Sequence, residues 1–152
     1  MQEMKKLNKP NPANPKSDMI ILKTATNYLI PLLLMFSVFV LLRGHYLPGG
    51  GFVGGLIASI AFILHSFAHT TKETLRLFKF SPKTLIPIGS SLSIFSGLLP
   101  VFFGKPFLTG LWLDSSIAII GSVGTALFFD LGVYLVVIGV TLTIIFTIKE
   151  NV

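Results

Sequence analysis

Long apolar runs alternate with short polar or glycine-rich breaks from residue 20 onward. The first run, Ile20 to Leu42, would be ~35 Å long as a helix, enough to cross a hydrocarbon core of ~30 Å with some tilt. Lys23 can snorkel at its start, and Pro31 frees the carbonyl of Asn27, which predicts a kink. The second run follows a glycine turn and extends from Phe52 to His69. The third covers Leu85 to Phe103, with Pro87 in its first turn and Pro100 bending or ending its far side. Between these two, Thr70 to Thr84 interleaves Lys72, Arg76, Lys79 and Lys83 with Leu75, Leu77 and Phe78. That pattern predicts a short interfacial helix and a loop.

The last apolar block, Ser115 to Ile148, would be ~51 Å as one helix, far longer than the core it must cross. It must therefore break, and Gly121, Gly124 and Asp130 mark the zone. Leu127 to Ile148 makes a span of ~33 Å. The β-branched residues Ile117, Ile119 and Ile120 suit a short strand or re-entrant piece covered by protein, with Lys105 to Leu113 as its hairpin partner. The expected fold is an all-α membrane protein with about four transmembrane helices and a short re-entrant or hairpin segment before the last span. A five-span arrangement is the competing reading. Residues 1–18, rich in Pro, Asn and Lys, read as a disordered cytoplasmic tail, and residues 19–152 as the membrane domain.

Composition sharpens this. Apolar residues are 52% and charged residues 12% of the chain, whereas a water-soluble domain carries about 25% charge. The formal net charge is +6, but the cations cluster at the ends of the apolar runs. With four spans, one side holds Lys5, Lys6, Lys9, Lys16, Lys23, Lys72, Arg76, Lys79, Lys83 and Lys149, and the other Arg43 and Lys105. The positive-inside rule then places both termini in the cytoplasm, and the glycine turn, Lys105 and Asp114 outside. No polar face exists for a nucleic acid to lie on. The absence of cysteine excludes disulfides, thiolate metal sites and cysteine nucleophiles.

The glycine turn, Arg43 through Gly55, holds most of what is particular to this sequence. Pro48 ends the preceding helix, and Gly49, Gly50 and Gly51 allow backbone angles closed to other residues. Gly50 pairs with Gly54 and Gly51 with Gly55 at helical spacing, and Ala58 and Ser59 extend both rows. Gly89, Ser93 and Gly97 form another row in the third run. Rows of small residues let helices approach closely in a membrane, and here they suggest contact with partner chains. The segment lacks the Gly-Lys-Ser/Thr ending of a phosphate loop, so no nucleotide is expected.

Asp130 is the sole carboxylate inside a span, and such a group needs a counter-charge, a watery cavity or a proton. Arg43, His45 and Lys105 are candidate partners on its side. His65 and His69 share a helix face, with no acid in the same turn to complete a metal site. His65 reads as a hydrogen-bonded interior histidine, with a proton-relay role as the alternative. The ion-pathway candidates are Asp130, His45, Arg43 and His65. There is no serine elbow, carboxylate pair or zinc pattern, so neither catalytic residues nor cofactor nor bound metal is expected. The midplane carries Leu, Ile, Val, Phe, Ser and Gly, with no ladder of titratable groups. The chain alone should not be a complete pump.

Three ordered stretches carry a family resemblance: Gly44-His45-Tyr46-Leu47-Pro48-Gly49-Gly50-Gly51-Phe52-Val53-Gly54-Gly55-Leu56, then Phe103-Gly104-Lys105-Pro106-Phe107-Leu108, then Phe128-Phe129-Asp130-Leu131-Gly132-Val133. Together they resemble the MnhB family, the B-type subunits of the multisubunit Na+/H+ antiporters known as Mrp or Mnh complexes. The resemblance runs over nearly everything from Asp18 to Asn151. It implies a hetero-oligomeric complex of six or seven different subunits in a bacterial plasma membrane. Such a complex would export Na+ in exchange for protons, driven by the proton gradient, with other subunits and membrane lipid as partners. Some large subunits of these complexes resemble the pumping subunits of respiratory complex I, and the MnhB-type subunit is a small companion. Similar subunits occur in membrane-bound hydrogenases, which keeps a redox host complex open. A purely structural assembly subunit is a further alternative, and a self-sufficient small channel the last.

Overall fold

In the computed structural model, the described residues are 15–44, 49–77, 81–117 and 121–151. Most of the expected tail, residues 1–14, lies outside them. Four helices among the described residues are long and apolar enough to cross a membrane. They are α1 (Pro15–Arg43), α2 (Gly50–Ala68), α4 (Pro82–Phe102) and α5 (Thr125–Asn151), with a short α3 (Thr71–Leu77) between α2 and α4. A two-stranded antiparallel hairpin, β1 (Trp112–Ile117) and β2 (Gly121–Gly124), precedes α5. The four-span reading therefore stands and the five-span reading falls.

Several boundaries differ from expectation. α1 starts at Pro15, inside the stretch read as tail, because Pro is pre-organised for a first helical turn. Helix continues through Pro31. α4 starts at Pro82, so Pro82 rather than Pro87 takes the first-turn place, and Pro87 and Pro100 both lie within the helix. The stop falls at Gly104, whose φ of 70° is left-handed. Gly104 N–H donates to the Val101 carbonyl at 3.0 Å and Lys105 N–H to the Pro100 carbonyl at 3.1 Å. This pair of bonds is the Schellman closure of a helix end.

The hairpin is shorter than the pairing expected from Lys105. Trp112 opposes Gly124 and Ile117 opposes Gly121, with an irregularity between Trp112 and Ser116. Residues 105–111 lie outside the strands. Thr125 clamps the base of the hairpin. Its N–H donates to the Leu111 carbonyl at 3.0 Å, and its Oγ1 accepts from Leu111 N–H at 3.1 Å. Ser96 of α4 donates to the Thr125 carbonyl at 2.6 Å, which ties the hairpin base to the bundle.

The helices pack as a row: α1 on α2, α2 on α5, and α5 on α4. Lipid gives no hydrophobic drive for helix association, so close backbone approach has to supply it. α2 is built for that. Its buried positions are Gly50, Gly51, Gly54, Gly55, Ala58, Ser59, Ala61, Ser66 and Ala68, all small. On α5, Ile138, Leu142 and Phe146 form the core with Ala58, and Leu34, Phe62, Leu75 and Leu85 pack around it. Large apolar side chains such as Met35, Phe36, Phe95 and Ile144 face outward, as a lipid- or protein-covered surface requires.

Candidate functional site

The small-residue rows have their neighbours inside the chain. A Cβ added at Gly51 would collide with the backbone carbonyl of Asp130, and one at Gly55 would lie 2.9 Å from Val137 Cβ. At Gly54 it would meet the Ser37 carbonyl at 3.0 Å. The second row behaves the same way. Gly89 abuts Gly132 of α5, Ser93 Oγ donates to the Phe129 carbonyl at 3.3 Å, and Gly97 faces Phe107 and Leu108. The expectation that these rows receive partner chains is thus corrected: α2 uses its row on α1 and α5, and in α4 Gly89 and Ser93 meet α5 while Gly97 meets Phe107 and Leu108 beyond the helix. Sequence spacing marks a close-packing face but not which helix will occupy it.

At one end of the bundle lie Arg43, the described part of the glycine turn, and Asp130. Gly49 caps α2 with φ 101°, ψ 4°, and its carbonyl accepts from Val53 N–H at 2.9 Å. A side chain is disfavoured there by φ alone. Gly44 and Gly50 touch backbone to backbone, which brings the end of α1 against the start of α2. Arg43 is exposed, and its guanidinium sits 5.9 Å from the centroid of the Phe39 ring. Asp130 is half-buried, with its backbone against Gly51. His45 and Pro48 lie outside the described residues.

One turn along α5 from Asp130 is a polar contact that the sequence did not flag. Ser37 Oγ donates to the Gly54 carbonyl at 2.8 Å, and the Tyr134 hydroxyl lies 2.9 Å from Ser37 Oγ. Ser37 has one hydrogen, given to Gly54, so Tyr134 must be the donor to Ser37. Three helices, α1, α2 and α5, meet at this point. A Ser in an apolar run and a Tyr near a span end are each too common to stand out. Only their shared level in the fold makes them a unit.

His65 belongs to the opposite end, roughly 21 Å from Gly51 along α2 at the usual helical rise. Its Nδ1 lies 2.7 Å from Thr74 Oγ1, and Thr74 Oγ1 donates to the Thr70 carbonyl at 3.1 Å. Thr74 has thereby spent its hydrogen, which makes His65 Nδ1 the donor and fixes the tautomer. The His65 and His69 rings stack at 4.4 Å between centroids, 13° from parallel. Lys149 of α5 donates to the Ser66 carbonyl and sits 5.0 Å from the Phe67 ring centroid. The start of α1 and the end of α5 therefore share this end. Just before α3, Thr70 N–H donates to the Glu73 carboxylate at 3.4 Å. That backbone contact holds the Glu73 carboxyl below its ordinary value.

Between the Asp130 level and the His65 level, no Asp, Glu, His, Lys or Arg lies on α1, α2 or α5. What lies there is the Ser37–Tyr134 contact, Ser59, which donates to the Gly55 carbonyl at 2.8 Å, and apolar side chains. No group of three or more metal-ligating side chains occurs among the described residues.

Comparison with known proteins gives a consistent picture. A family model described as "Domain related to MnhB subunit of Na+/H+ antiporter" matches residues 21–143. The B-type Na(+)/H(+) antiporter subunit of Bacillus subtilis is 42% identical over 138 residues, covering 90% of this chain and 96% of that protein. The protein of the same name from Alkalihalophilus pseudofirmus is 39% identical over 140 residues, covering 91% of this chain and 97% of its own. Among solved structures, a chain in the Mrp complex of a Dietzia species superposes with a TM-score of 0.72 at 28% identity. The match covers 91% of this chain but 15% of that one, so the likeness is to one part of a much longer polypeptide.

Proposed function

Because the chain belongs to the MnhB family of Na+/H+ antiporter subunits, we propose that it is the non-pumping B-type membrane subunit of a hetero-oligomeric Na+/H+ antiporter in a bacterial plasma membrane. It contributes to the sodium pathway or to scaffolding of the assembly, and the exchange serves sodium and pH homeostasis. The carrying observation is the gap between its two polar ends. Acidic, basic and histidine side chains occur at the Asp130 level and at the His65 level, with none on α1, α2 or α5 between. Proton-coupled transport needs such groups inside the membrane. The proton route must then run through companion subunits. Na+ and H+ are cargo, and the subunit requires no resident cofactor.

The cation-rich end, with Lys23, Lys72, Arg76 and Lys149, is assigned to the cytoplasm by the positive-inside rule. Asp130 and Arg43 then lie toward the outer surface. There Asp130 attracts cations, with Arg43 and His45 as neighbouring polar groups, and His65 secures the inner end of α2. Relatives named as antiporter subunits favour this host over a hydrogenase complex.

The test is to purify the assembly through a tag on this chain and reconstitute it in liposomes. Co-purification of the other subunits with Na+/H+ exchange supports the reading. Recovery of a fully active exchanger from cells lacking this chain contradicts it. Asp130→Asn separates the two roles within it. Lost exchange at normal subunit content favours the sodium pathway, whereas loss of assembly favours scaffolding.

A further inference from the structure

α3 and α4 belong to one crossing, Thr71–Phe102, but α4 does not begin at the end of the bundle. A methyl group on Gly139 of α5 would lie 2.8 Å from the Pro82 carbonyl oxygen and 3.1 Å from Leu85 Cβ. Leu85 also packs on the cluster of Ala58, Ile138 and Leu142. The first turn of α4 is therefore level with Gly139. At the usual helical rise, Gly139 lies roughly 14 Å along α5 from Asp130 and roughly 15 Å from Lys149. The sequence pattern groups Lys83 with the cations of the inner end. The packing of α4 on α5 instead sets it halfway between the two ends.

A cation at this depth needs a counter-charge. Its four-carbon stem is too short to reach water at either end. Apolar surface continues past it, since Ile144 and Ile148 of α5 are exposed nearer the inner end. Pro82, Ile86 and Gly89 make the face of α4 that meets α5. At 100° per residue, Lys83 falls on the flank of that face, in one stripe with Pro87, Ser90 and Ile94. Lys83, Pro87 and Ile94 are exposed, and α4 is the last helix of the row. Among the described residues no carboxylate pairs with Lys83. A lipid phosphate stays at the headgroup level, outside the hydrocarbon core. A second copy of this chain would bring no described carboxylate to that level.

Resting on the reading that this chain sits among companion subunits, we propose that Lys83 pairs, inside the membrane, with a carboxylate on a transmembrane helix of a companion docked along this flank of α4. A single lysine gives the chain no proton path of its own. It supplies the counter-charge for an acid of its neighbour.

The assembly is purified through a tag on this chain and treated with a membrane-permeant carbodiimide, which joins an amine to a carboxylate only where the two are in contact. Peptide mass spectrometry locates the bond. The expected product links Lys83 to an Asp or Glu in a membrane helix of a companion subunit. A water-soluble acylating reagent should modify Lys72 and spare Lys83 while the assembly is intact. Lys83→Met should lower the yield of that companion roughly tenfold, Lys83→Arg should restore it, and Lys72→Met should leave it unchanged. A missing Lys83 cross-link, a cross-link to a carboxylate of this chain itself, acylation of Lys83 as fast as Lys72, or an unchanged yield with Lys83→Met would each overturn the proposal. A co-purified, exchange-active assembly would in those cases leave the functional reading standing. Absence of every companion from the parent preparation would overturn both.

Discussion

Gly51 of α2 rests directly against the backbone of Asp130 of α5, with no room for a methyl group between them. The contact sets how far α5 can approach α2 at the level of Asp130. Gly51→Ala therefore has to push the two helices apart or distort one of them. Overpacking of this kind costs about 1–3 kcal/mol. A lowered thermal midpoint and reduced recovery of the subunit in purified assemblies are the expected outcomes.

Gly49 presents the opposite case. A Cβ there meets nothing within 4 Å, so φ of 101° is the only objection to a side chain. Asn tolerates left-handed backbone, whereas a β-branched residue does not. Gly49→Asn should fold nearly as well as the parent. Gly49→Val should lose about 1–2 kcal/mol, read as a shift in the thermal midpoint. Equal behaviour of the two variants would remove the backbone argument for this turn.

The Ser37–Tyr134 contact makes an asymmetric prediction. Tyr134→Phe removes a donor while Ser37 keeps its bond to the Gly54 carbonyl. Ser37→Ala removes the bond to Gly54 and also leaves the tyrosine hydroxyl without its acceptor. Hydrogen bonds between membrane helices are worth about 0.6 kcal/mol on average. The serine variant should accordingly be the more destabilised of the two, and a double-mutant cycle should show coupling between them.

At the other end, Thr74→Val keeps the shape of the side chain and deletes the acceptor for His65. α3 then loses its pin to α2. Hydrogen–deuterium exchange should quicken across Thr71–Leu77 and change little in α5. Uniform quickening across the bundle would show that Thr74 supports the whole fold rather than this joint.

Much of this architecture is legible in the sequence, for identifiable reasons. Apolar run length against bilayer thickness gives four spans, and the excess length of Ser115 to Ile148 requires a break before the last of them. Small residues four apart mark the close-packed faces of α2 and α4. What spacing cannot supply is the neighbour. Gly51 and Gly55 meet α5 and Gly54 meets α1, and such pairings arise from chain topology rather than from local pattern. Ser37 and Tyr134 are 97 residues apart, so nothing local joins them. The stop at Gly104 is masked in the sequence by Pro100, a residue that ordinarily breaks helices. Helix nevertheless runs through Pro100, and the left-handed glycine ends it.

The central claim is that this polypeptide holds Asp130 toward one end, His65 and His69 toward the other, and no acidic, basic or histidine side chain on α1, α2 or α5 between them. Its most direct test is to place the purified chain alone in liposomes, impose a pH gradient, and follow uptake of radioactive sodium beside the complete assembly. The account predicts exchange by the assembly and, for the lone chain, uptake no greater than that of empty liposomes. Gradient-driven sodium uptake by the lone chain, abolished when the pH difference is collapsed, would contradict it.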